Sequence, residues 1–154
     1  MEATSTFTLK RHHGEYESWP RESELLLCGS ATGKSIPGYV LEAQYRCGRH
    51  YLFVTSWECL FEDSLEVVLT NESLDLMDRK AVGAMYTTTW LERHEVVGED
   101  QLLLHCDNEF KIKVTANGGV TLEQKLATDS LYRPYPTEVA APRKPEAATW
   151  WKLW

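Results

Sequence analysis

Phe110-Lys-Ile-Lys-Val-Thr-Ala116, then Asn117-Gly118-Gly119, then Val120-Thr-Leu-Glu-Gln-Lys-Leu126: this stretch decides the fold class. Phe110, Ile112 and Val114 share one parity, and Lys111, Lys113 and Thr115 share the other. Strand side chains alternate between faces, so the spelling gives one buried and one wet face. Asn-Gly tolerates the positive φ angles that a two-residue hairpin turn demands. The segment reads as a β-hairpin with Asn117-Gly118 at its tip.

The same grammar runs outward in both directions. Upstream, Gln101 to Cys106 is a strand, and Gly98-Glu99-Asp100 turns it from a long strand over Met85 to Val97. Leu65, Val67 and Leu69 define another, turned by Asn71-Glu72 into Leu74 to Met77, with an extension to Val82. His50 to Trp57 is apolar on both parities, which predicts a central strand covered on both faces. Tyr39 to Tyr45 alternates with polar residues and turns at Cys47-Gly48-Arg49. Ser5 to Arg11 and Glu24 to Cys28 are strands, His12 to Glu24 is a polar loop, and Gly29 to Gly33 is a flexible loop. The expectation is an all-β fold of about ten antiparallel strands, as a β-sandwich or a meander barrel, because each strand must bury one face.

After Leu126 the grammar changes. Tyr132-Arg-Pro-Tyr-Pro136 and Ala140-Ala-Pro-Arg-Lys-Pro145 are punctuated by proline and read as extended chain. Residues 1–133 are expected to form one β domain, and residues 134–154 a Pro-rich extension. The extension ends in Trp150-Trp151-Lys152-Leu153-Trp154, which holds three of the chain's six tryptophans. Burying a large apolar side chain is worth ~1.5–3 kcal/mol, and tryptophan is enriched among interface anchors. Trp150, Trp151, Leu153 and Trp154 are therefore expected to dock, on the body of the chain or on a protein partner.

Charge narrows the partners. Residues 36–125 carry 8 basic and 15 acidic groups, so the β-rich body holds the whole net charge of −7. Nucleic acid demands clustered Lys and Arg, and an anionic membrane surface does too. No apolar run approaches the ~20 residues that span a bilayer. The N-terminus lacks the charged and apolar regions of a secretory signal, so the expected location is cytoplasmic, with reduced cysteines. The sequon at Asn71-Glu72-Ser73 carries no weight on that route.

Several constellations resemble chemistry without spelling it. Gly33-Lys34-Ser35 ends like a phosphate-binding loop, but Cys28 stands where the first glycine belongs, and Pro37 follows instead of a helix. Cys47 and His50 have zinc-knuckle spacing, yet His105 and Cys106 are adjacent and would point apart in a strand. No cofactor or metal is assigned. Glu58, Glu62, Asp63 and Glu66 cluster around Cys59-Leu60-Phe61 without a calcium-loop spelling. They read as a charged connection over a sheet edge, or as an acidic docking face for a basic partner.

The leading function is a non-enzymatic protein-interaction or binding module, with an acidic β-surface and an aromatic C-terminal tail. Self-association through that tail is the other form of the same idea. The alternative is a carrier of a small hydrophobic ligand with a lipocalin-like barrel cavity, lined by Tyr39, Tyr45, Tyr51, Phe53, Trp57 and Trp90. A hydrolase built on the scattered Cys and His residues ranks third.

Overall fold

His50 to Ser56 buries residues of both parities, and this strand organises everything around it. The computed structural model describes residues 1–57, 64–83 and 88–125. It contains twelve strands: β1 (Glu2–Ala3), β2 (Phe7–Leu9), β3 (Glu22–Leu27), β4 (Ser30–Pro37), β5 (Val40–Cys47), β6 (His50–Ser56), β7 (Leu65–Asn71), β8 (Leu76–Val82), β9 (Arg93–Val96), β10 (Gln101–His105), β11 (Glu109–Val114) and β12 (Val120–Lys125). Every strand pair is antiparallel. Among the described residues the only helical element is a 3-10 turn at Tyr16–Ser18. The chain is all-β, as its alternation predicts.

The strands form three sheets, ordered β1-β5-β6-β7-β8, β12-β11-β10-β9 and β2-β3-β4. The five-stranded sheet lies in the middle. One of its faces offers Tyr45, Leu52, Val54, Leu65, Val67 and Leu69 to Leu102, Leu104, Phe110, Ile112 and Val114 of the four-stranded sheet. Its other face offers Phe53 and Val68 to Phe7, Leu25 and Ile36 of the three-stranded sheet. Two separate cores result, which is why β6 and β7 are buried on both parities. A sheet covered on both sides must hide its own polar groups. Glu66 in β7 does so by accepting two 2.8 Å hydrogen bonds from Arg79.

Four sequence expectations need correcting. The hairpin tip is not a two-residue Asn117-Gly118 turn. The Gly118 N–H donates to the Thr115 carbonyl at 3.0 Å, and the Thr115 N–H to the Gly119 carbonyl at 2.8 Å. Ala116 and Asn117 are thus the central turn residues, and only Gly118 takes a positive φ, +76°. A three-residue loop needs one such residue, where the type I′ two-residue turn that Asn-Gly favours needs two. The flexible loop at Gly29 to Gly33 is mostly strand: Cys28 (φ 49°) and Gly29 (φ 82°) alone make the turn, and β4 begins at Ser30. β4 is an edge strand, so small polar residues suffice to build it. Of the long strand expected over Met85 to Val97, residues 85–87 lie outside the described residues, and over the described residues 88–97 only β9 is strand. Its neighbour β10 has only five residues, and pairing runs out with it, from Val96↔Leu102 to Arg93↔His105. Finally, β8 starts at Leu76, because Leu74 adopts a φ of +63° in the preceding turn. The Pro-rich extension lies outside the described residues.

Candidate functional site

The N-terminal loop over residues 10–21, polar in sequence, folds onto the turn between β4 and β5. Gly38 fixes that turn. Its φ is +99°, and a Cβ there would stand 2.4 Å from the Thr55 hydroxyl. The buried Ser23 hydroxyl donates to the Gly38 carbonyl at 2.6 Å. Its oxygen then accepts from His12 Nε2 at 2.8 Å, so that His12 nitrogen bears the proton. The Tyr39 N–H donates to the Ser56 carbonyl at 2.7 Å. Backbone and loop are pinned together, and the Tyr39 ring projects between them.

Four rings meet Tyr39. His12 lies 5.4 Å away, Tyr16 5.6 Å, Trp19 5.2 Å and Trp57 5.3 Å, all edge-to-face. Trp19 also contacts His12 and Tyr16. Such pairs contribute ~0.5–1.5 kcal/mol each beyond burial, enough to hold a loop with little regular structure. The Tyr16 hydroxyl donates to the Trp57 carbonyl at 3.1 Å, closing the ring nest. Beside the nest opens a cleft of about 410 Å³, lined by Leu9, Arg11, His12, Trp19, Tyr39 and Leu41. The Trp19 indole N–H is buried without an acceptor among the described residues. The site offers aromatic faces and edges, a guanidinium and hydrogen-bond donors.

The residues singled out from sequence fall elsewhere. Glu58, Glu62, Asp63 and the four docking residues Trp150, Trp151, Leu153 and Trp154 lie outside the described residues. Glu66 is 4% exposed and engaged by Arg79. Lys34 pairs with Asp75 at 2.5 Å, on the β4 edge of a hairpin. Among the described residues no group of three or more His, Cys, Asp or Glu is placed to hold a metal ion. Cys28 is exposed, and Cys47 and Cys106 are buried and free. Burial pushes both buried thiols up to about 11. The rings considered for a ligand cavity are divided: Tyr45 belongs to one core, Tyr51 and Phe53 to the other, Tyr39 and Trp57 to the nest, and Trp90 is 59% exposed.

The nest was missed in the sequence because its rings come from three separate stretches. The available signal was Tyr16 and Trp19 inside a loop otherwise built of charged and small residues. Compared with protein-family models, curated proteins and solved structures, the chain finds no match. No helix among the described residues is long and apolar enough to cross a membrane.

Proposed function

We propose that this protein is a non-catalytic interaction module whose docking surface is the aromatic cleft around Tyr39, and that it takes an extended, proline-rich peptide. The observation carrying this reading is a nest of five aromatic rings built on a rigid turn and opening onto a cleft. Aromatic-lined grooves suit polyproline II peptides, whose prolines stack on rings and whose carbonyls stay free to accept hydrogen bonds. Such a peptide loses little entropy on binding, so a shallow cleft suffices. Exposed Glu15 and Glu17 beside Tyr16, with the net −7 of residues 36–125, favour a peptide carrying basic residues.

The test is a titration of the ¹⁵N-labelled chain with deca-proline. Saturable shifts of the Trp19 and Trp57 indole N–H signals are expected. Tyr39→Ala should weaken binding about tenfold, a change of ~1.4 kcal/mol, without altering the β-sheet spectrum. Absence of saturable shifts at both indoles, or equal affinity in the variant, would sink the proposal.

A further inference from the structure

We infer that the cleft is occupied by the chain's own Pro142-Arg-Lys-Pro145 segment, folded back within one molecule; this rests on the peptide-binding reading above. Three observations carry it. The first is spelling. Pro142 and Pro145 are separated by two residues. Polyproline II has three residues per turn, so both prolines share one face in that geometry. Pro134 and Pro136, two apart, do not.

The second is where the tail leaves the body. Val40, Ser56, Leu65 and Val82 are successive partners across the central sheet, so they form one row at one end of it. Tyr39 and Trp57 flank that row on one side of the molecule. Gly83 follows Val82 and shares a small cleft with Gln124, the residue before the end of β12. The tail therefore departs from the same end of the stack that carries the aromatic nest. With strands ~4.8 Å apart and layers ~10 Å apart, the cleft lies about 25 Å from Lys125. Pro142 is 17 residues beyond Lys125. At ~3.1 Å per residue that length reaches about 50 Å, twice the need.

The third is charge. In that geometry Arg143 and Lys144 would fall on the other two faces of the segment. Glu15 and Glu17 are exposed on either side of Tyr16 and make no ion pair with a described residue. Arg11 lines the cleft itself, whereas Tyr16 stands in the ring nest beside it against Tyr39, so the attraction is exerted from the nest and not from the cleft wall. A tethered segment reaches effective concentrations of about 1 mM, so even a weak peptide site fills in cis. An outside peptide must then displace the tail, and its apparent affinity falls by the fraction of open cleft.

The experiment compares the intact chain with the full-length Pro142→Ala/Pro145→Ala double variant. Deca-proline affinity is read by Trp19 indole shifts, and mass by sedimentation. The expected result is about tenfold tighter binding by the double variant, with both proteins monomeric. Equal affinities, with Tyr39→Ala weakening both, would overturn the tail assignment and leave the cleft reading standing. No binding to either protein would remove the cleft reading itself. Tighter binding accompanied by dissociation of a dimer would overturn the intramolecular claim, because the segment would then be filling a neighbour's cleft.

Discussion

Glu66 and Arg79 form an unequal pair. The Glu66 side chain is 5% exposed and that of Arg79 45%. Removing one partner of a buried ion pair costs ~3–5 kcal/mol when the remaining charge cannot reach water. Arg79 can reach water and Glu66 cannot. Arg79→Met should therefore destabilise by about 2–3 kcal/mol, below that range because Arg79 is half solvated, and Glu66→Gln by less than ~1 kcal/mol. Urea unfolding midpoints of the two variants check this, and a reversed order would refute the argument. Cys47 and Cys106 give a second residue-scale outcome. Their folded thiols are pushed up to about 11, burial being the main cause. A raised folded pKa adds stability that is fully present below the unfolded value, near 9, and disappears as pH rises through 11. Unfolding midpoints should accordingly fall between those limits. At pH 8 Ellman's reagent should modify exposed Cys28 faster than Cys47 or Cys106, because burial both keeps the reagent from those two thiols and holds them protonated.

At the scale of elements, the β11–β12 hairpin shows how one carboxylate ties two layers. Asp78 in β8 accepts the Val120 N–H at 2.7 Å, although the two residues belong to different sheets. That hydrogen bond is the main reason the Asp78 carboxyl lies below its ordinary value. Gly118 sits against Met77 at the same contact, where a Cβ would meet the Met77 methyl at 2.4 Å. The sign follows from linkage: a lowered folded pKa adds stability present above the unfolded value of 3.8, lost as pH falls through the folded one. Stability should drop on acidification below pH ~4, and Asp78→Asn should flatten that drop while lowering stability at neutral pH. A pH series of unfolding midpoints on both proteins is the measurement. Identical slopes would show that the carboxylate does not hold the hairpin.

For the molecule as a whole, the layered arrangement sets an order of opening. β6 and β7 have a sheet on each face, whereas β2, β4, β9 and β12 are edges. Amides that exchange only on global unfolding belong to the best-buried elements. Hydrogen exchange should be slowest at Leu52 to Val54 and Val67 to Leu69, and fastest among β-sheet amides in β9, all of whose residues are exposed. Protection of β9 equal to that of β6 would contradict the layer order.

Alternation alone determined that the chain is all-β, because the side-chain period of a strand is a local property of the backbone. It also placed Phe110, Ile112 and Val114 inward and marked β6 as doubly covered, since burial on one or two faces is written into consecutive residues. Turn types were less legible: Asn117-Gly118 announced a turn, but which residue took the positive φ depended on the docking of Gly118 against β8. Strand ends were decided by neighbours, as the brevity of β9 beside β10 shows. The aromatic nest was decided by tertiary structure altogether. His12, Tyr16, Trp19, Tyr39 and Trp57 have no common spacing, and they meet only because Gly38, held by Ser23 and Thr55, turns Tyr39 into the folded N-terminal loop. Local pattern encodes which face of a strand is dry; which faces then meet is fixed by packing between residues far apart in the chain.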